Sequence, residues 1–154
     1  MHNTAQGHRL RTGRRSIAGQ VYLLTLVTAE RQPVFADLYA ARCLINVLRQ
    51  EERLERASTW AFVVMPDHLH WLMQLGSTST LPGCVQSIKS MTTRQLGHSV
   101  WQAGFHDRAM RSEDDLRAIA RYIVANPLRA GLAQDVGRYP HWDARWMSGD
   151  HDPL

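Results

Sequence analysis

The chain has 154 residues, is 44% hydrophobic, and carries 18 Lys and Arg against 14 Asp and Glu, for a formal charge of +4. That length supports one core and excludes two comfortable domains, so a single domain over residues 1–154 is expected. Cys43 and Cys84 are too few and too isolated for a disulfide framework or a thiolate metal site, and no apolar run approaches the roughly 20 residues that span a bilayer, so a cytoplasmic protein without a membrane partner is expected.

The basic character is uneven along the chain. Arg9, Arg11, Arg14 and Arg15 all precede Glu30, the first acidic residue. Residues 1–20 therefore read either as a basic arm for DNA phosphates or as a solvated tail. With a sequence pI near 9.6, the favoured partner is acidic, and nucleic acid is the usual one.

Val21 to Thr28 is rich in apolar and β-branched residues and predicts a first strand. Asp37 to Glu55 has helical spacing at Leu38, Ala41, Leu44, Ile45, Leu48 and Leu54. Thr59 to Met65 and His68 to Leu75 predict paired strands joined tightly at Pro66-Asp67, with Asp67 read as a turn residue. Pro82 to Gly97 returns to helical periodicity, and Gly104 to Met110 predicts a further short strand. The last helix starts at Ser112 as N-cap, places Glu113, Asp114 and Asp115 at the positive end of its dipole, and is expected to stop at Pro127. This order of elements predicts an α+β fold of the ferredoxin-like, split β-α-β type: an antiparallel sheet with helices on one face, plus a C-terminal tyrosine-bearing helix.

Two places on this plan carry chemistry. Side chains alternate along a strand, so His68 and His70 point the same way while Leu69 points into the core. The pair is either half of a metal site or two polar positions on a wet face. In the last helix, Leu116, Ile119, Ala120, Ile123 and Val124 form one apolar stripe, with Tyr122 on its flank and Asn126 one turn below. These two read either as a boundary tyrosine and a helix-end amide, or as a nucleophile beside an amide oxygen that joins the histidines as a metal ligand.

The blocks Met65-Pro66-Asp67-His68-Leu69-His70, Trp101-Gln102-Ala103-Gly104-Phe105-His106-Asp107-Arg108 and Tyr122-Ile123-Val124-Ala125-Asn126-Pro127-Leu128-Arg129-Ala130-Gly131-Leu132 occur in order. They are preceded by His8 to Ser16, Tyr22 to Thr25 and Arg31 to Phe35. In this ordered set the chain resembles the REP-associated tyrosine transposases, a branch of the single-tyrosine HUH transposases. The resemblance implies the same ferredoxin-like plan. It also implies cleavage and joining of single-stranded or hairpin DNA from palindromic repeat elements, through a covalent 5′-phosphotyrosine on Tyr122. A divalent ion, Mg2+ or Mn2+, would be held by His68 and His70, with Asn126 at the position from which a polar side chain completes the site in relatives. Many single-tyrosine relatives carry Gln there. Relatives include monomers and homodimers.

Arg121 and Arg129 flank the tyrosine, and with Lys89, Arg94 and Arg108 they are candidates for phosphate contacts. His106 reads as a strand-edge polar residue near DNA. Trp101, Trp142 and Trp146 either stack on bases or fill the core. Two other functions remain open on these residues: a domesticated hairpin-binding protein that no longer cleaves, and a metal-dependent hydrolase in which water attacks and Tyr122 only packs.

Overall fold

The computed structural model describes residues 16–134 and 139–144; Arg9, Arg11, Arg14, Arg15 and Trp146 lie outside them. Strand β1 is Val21–Val27, followed by helix α1 (Leu38–Arg53), strands β2 (Ala57–Met65) and β3 (His68–Leu75), helix α2 (Leu81–Leu96), strand β4 (His106–Ala109), helix α3 (Glu113–Val124), the single turn α4 (Asn126–Arg129) and strand β5 (Trp142–Ala144). The sheet order is β4-β1-β3-β2-β5, and each neighbouring pair is antiparallel. The first four strands in that order, with α1 and α2 as crossovers, make the expected split β-α-β sheet.

Helix boundaries follow capping chemistry. Asp37 accepts from the Ala40 N–H at 3.0 Å, Thr80 from Gly83 at 3.1 Å, and Ser112 from Asp115 at 3.1 Å. Helix α2 ends at Gly97, whose φ of +86° is accessible to glycine at little cost. Pro127 acts differently from expectation. Helix α3 does end ahead of it, with Ala125 as C-cap, but the chain continues into α4, where proline occupies the first turn and its missing N–H costs nothing.

The sheet is covered on both faces. Leu69, Trp71, Met73 and Leu75 of β3 join Leu24, Leu26, Phe62 and Val64 in a core with Ala41, Leu44, Leu48, Val85 and Ile88 of α1 and α2. Leu72 instead joins Ala61, Val63 and Met65 beneath Leu116, Ala120, Ile123 and Val124 of α3. The two long helices thus share one face as expected, and the tyrosine helix packs on the other, which is the face that carries His68 and His70.

Between α1 and α2, the fully buried Glu51 carboxylate receives Arg56 at 3.1 and 2.8 Å and the Ser87 hydroxyl at 2.7 Å. Removing one partner of a buried pair leaves an uncompensated charge. Arg56→Met is therefore expected to lower stability by about 3 kcal/mol, and adding Glu51→Met to recover most of that loss. Urea unfolding midpoints of the two variants check this.

Candidate active site

His68 opens β3 directly after the Pro66-Asp67 turn, opposite Val27 and Met65, and His70 stands opposite Thr25 and Val63. Their ring centroids are 4.7 Å apart at an interplanar angle of 75°. The Nδ1 atoms are both engaged. That of His68 lies 2.8 Å from Asp67 Oδ1, and that of His70 lies 3.0 Å from Thr25 Oγ1. With Nδ1–H donated, the Nε2 lone pair of each ring is left for a cation, the tautomer arrangement that ligating histidines use. Burial, then the charges of His68 and Arg129, push the His70 pKa down to about 4, so this imidazole is neutral at neutral pH.

Asp67 is more than the turn residue expected of it. Burial pushes its carboxyl up, but hydrogen bonds from His68 and Arg31 outweigh burial and hold it below the usual carboxylate range. Arg31 donates to Asp67 Oδ2 at 2.9 Å. It reaches that point from a tight turn in which Glu30 and Arg31 have φ of 53° and 51°, a left-handed conformation that costs about 1–3 kcal/mol for a residue other than glycine. Thr28, fully buried, fixes the turn: its N–H donates to the Asp67 carbonyl at 3.0 Å, and its hydroxyl lies 2.8 Å from the Gln32 carbonyl and 3.0 Å from that of Asp67. Sequence gives Thr25, Thr28 and Arg31 no role, although Thr25 and Arg31 fall in blocks that carry the family resemblance. Only the strand register and the turn conformation bring them to the histidines.

Tyr122 is 49% exposed on α3, and its ring centroid lies 6.2 Å from that of His70. A single chain therefore brings nucleophile candidate and histidines together. The Arg129 guanidinium sits over the Tyr122 ring, 3.9 Å from its centroid, and donates to the Tyr122 carbonyl at 2.7 Å. One of its donors is thus committed to the tyrosine itself. Asn126 begins α4, half-buried, one turn beyond Tyr122. Among the described residues no three or more His, Cys, Asp or Glu side chains gather into a metal site, so a cation on the histidine pair would need amide, water or substrate oxygens to fill its coordination.

The other predicted contacts scatter. Arg121 is exposed beside Tyr122. Arg108 on β4 is 3.5 Å from Asp115 of α3. His106 stands opposite Thr25, in one row with His70, exposed at the sheet edge. Lys89 lies on the helix layer of the opposite face, where its ammonium donates to the Gln102 and Gly104 carbonyls at 2.9 and 2.7 Å and ties the loop before β4. Arg94 is exposed on the same helix. Trp101 fills the core and donates to Thr92 at 2.8 Å; Trp142 is half-buried in β5.

The folded pKa of His70 lies below its ordinary 6.5, so the folded state binds fewer protons than the unfolded chain between the two values. Its contribution to stability is complete above about 6.5 and is lost as pH falls toward 4. His70→Asn is expected to lose part of the acid-induced decline of the metal-free protein in that window, read from unfolding midpoints at pH 7, 5.5 and 4.5.

Comparison with known proteins identifies the family. A family model described as "Transposase IS200 like" matches residues 16–126. A Haemophilus influenzae protein named for the REP-associated tyrosine transposases is 27% identical over 143 residues, covering 80% of this chain and 78% of its own length. The REP-associated tyrosine transposase of Escherichia coli K12 is 31% identical over 83 residues, covering 52% of this chain and 50% of its own. The structure of a REP-associated tyrosine transposase bound to a REP hairpin superposes with a TM-score of 0.74 at 24% identity, covering 84% of this chain and 79% of that one, a likeness of fold. With the match running from the first described residues through β1 to β4 and the tyrosine helix to Asn126, the chain belongs to the IS200-like transposase family.

Proposed function

We propose that this transposase cleaves and rejoins single-stranded or hairpin DNA through Tyr122, at a site where His68 and His70, with Asn126, hold Mg2+ or Mn2+. The observation that carries the reading is the 6.2 Å approach of the Tyr122 ring to His70 across two separate elements of one chain. The hairpin bound by the structurally similar transposase supports a hairpin substrate, and so does the positive charge of this chain. Among the described residues no helix is long and apolar enough to cross a membrane.

A bound divalent cation would neutralise phosphate oxygens and polarise phosphorus. The protein does the rest. Tyr122 Oη forms a bond to phosphorus and gives its proton to water, while the P–O3′ bond breaks and the departing 3′ oxygen takes up a proton. The products are a 5′-phosphotyrosine and a free 3′-hydroxyl. A phenol, with its pKa near 10, is both an easier nucleophile to deprotonate and a better leaving group than an alkyl hydroxyl, so a 3′-hydroxyl can reverse the step and join strands. Arg129 holds the ring between its guanidinium and the histidines, and Asp67 and Thr25 fix the two imidazoles.

Tyr122→Phe keeps the ring and its packing but deletes the oxygen. Stability should change by less than about 1 kcal/mol, because the hydroxyl lies on a half-exposed ring. With labelled hairpin DNA and Mn2+, wild type is expected to form a denaturant-resistant adduct that maps to the peptide containing Tyr122, and the Phe variant to bind the DNA without forming it. An adduct on Tyr22, Tyr39 or Tyr139 would sink the assignment, and cleavage without any adduct would favour attack by water.

Cleavage should stop in excess chelator and return on addition of Mg2+ or Mn2+. His68→Ala and His70→Ala should each lose Mn2+ binding in calorimetry while keeping most DNA affinity. Undiminished cleavage in chelator, or unchanged Mn2+ binding by both variants, would overturn the metal assignment.

A further inference from the structure

Arg42, Asn46, Arg49 and Arg53 recur at i, i+4, i+7 and i+11 on α1, one flank of a helix, and all four are exposed. Arg42, Ile45, Asn46 and Arg49 line a groove of about 370 Å³ whose far wall is Pro140 and His141. Among the described residues no acidic side chain lines it. Among the described residues no ion pair engages Arg42, Arg49 or Arg53, whereas Arg31, Arg56 and Arg108 are each paired. The wall is fixed, since the His141 carbonyl accepts from the Val64 N–H at 2.8 Å. Val64 stands opposite Leu69, the neighbour of His68, so the groove lies at the same end of the sheet as the histidines but round its β5 edge, beside the helix layer of the other face.

We propose that this arginine-lined groove is a second DNA-binding surface, which takes the phosphate backbone of a hairpin stem outside the cleavage site. The inference rests on the reading of the chain as a DNA enzyme. Charge selects the ligand: a concave surface whose described lining holds two arginines and an amide attracts a polyanion, and guanidinium forks match phosphate oxygens. Length agrees. At about 1.5 Å per residue, Arg42 to Arg53 spans about 16 Å along the helix, close to the rise of four to five base pairs at about 3.4 Å each. The groove lies at the β5 edge of the sheet, so a stem that leaves the Tyr122 side round that edge meets α1 there.

The experiment compares wild type with Arg42→Gln/Arg49→Gln and Arg42→Lys/Arg49→Lys, each first shown to unfold at the wild-type temperature. Hairpin affinity is read by fluorescence anisotropy across a salt series. The glutamine pair should bind at least about tenfold more weakly at low salt, with a log–log salt slope shallower by about 1.8, or about 0.9 for each lost contact. The lysine pair should keep most of the slope, which ordinary packing would not require. Adduct formation on a short single strand that carries only the cleavage site should be unchanged in both. A wild-type slope in the glutamine pair overturns the proposal while leaving the enzyme reading intact, and so does loss of the adduct on the short strand, which would put the arginines at the cleavage site. If the slope is unchanged but a wild-type dimer dissociates in the glutamine pair by sedimentation, the groove belongs to a second copy of the chain. Failure of wild type to bind any DNA removes both readings.

Discussion

The alternation of side chains along β3 is the constraint on which the rest of this structure depends. Every second residue, Leu69, Trp71, Met73 and Leu75, is buried against α1 and α2, and the intervening positions hold His68, His70, Leu72 and Gln74. A slip of one residue would exchange the two sets, forcing two imidazoles and a carboxamide into the core under α1 and α2 and moving a tryptophan to the less covered face of the histidines. At about 2 kcal/mol for each large apolar side chain, the penalty exceeds any contact the histidines make for themselves. Their placement is therefore imposed by their neighbours. The strand is also paired on both sides, with β1 and β2, so its register is set twice.

A polar device finishes what the hydrophobic pattern begins. Alternation decides which face the imidazoles occupy, but it does not orient the rings. That task falls to Asp67 and Thr25, and Asp67 is in turn steadied by Arg31. An exposed ion pair such as Arg31 with Asp67 contributes little stability, at most about 1 kcal/mol, and that does not repay the left-handed backbone at Glu30 and Arg31. The offset comes from the buried Thr28 and from Phe35, whose N–H donates to the Pro66 carbonyl at 2.9 Å. Strain at this turn makes sense as the cost of presenting one guanidinium to one carboxylate, which a relaxed turn of ordinary sequence would not do.

Much of this architecture is legible in sequence because it is local. The apolar run with two histidines, the Ser112 cap with its acidic first turn, and the flank position of Tyr122 all follow from periodicity within one element. What escapes is long-range. Helices on one face and Leu69 in the core are expected, and the family resemblance brings Tyr122 to the histidines, but periodicity alone does not say that the tyrosine helix packs on the histidine face, because amphipathicity does not name a partner. Thr25 reaches His70 only through the β1–β3 register. Lys89 looks like any solvent-facing cation of a basic protein, yet loop carbonyls from beyond the end of its helix capture it. Pro127 shows a subtler limit: proline ends the preceding hydrogen-bond ladder but is well suited to begin another turn, so one residue is both a stop and a start.

The two halves of the candidate site are held by very different forces, and the difference suits the chemistry. The histidines stand on a central strand whose displacement would disturb both cores. Tyr122 stands on the last turn of a twelve-residue helix that packs on the sheet through one stripe, and its own ring is half exposed, with Arg129 above and His70 at its edge. Histidines that hold a metal, as proposed for this pair, must keep their spacing throughout a reaction, because small displacements cost coordination. A nucleophile that becomes esterified to DNA must accommodate a phosphodiester that was not there before, and one that is later displaced must release it. An edge position beyond the apolar stripe would let the phenol carry that load in the proposed reaction without repacking Leu116, Ala120, Ile123 and Val124, so the proposed covalent step is separated from the contacts that keep the helix on the sheet.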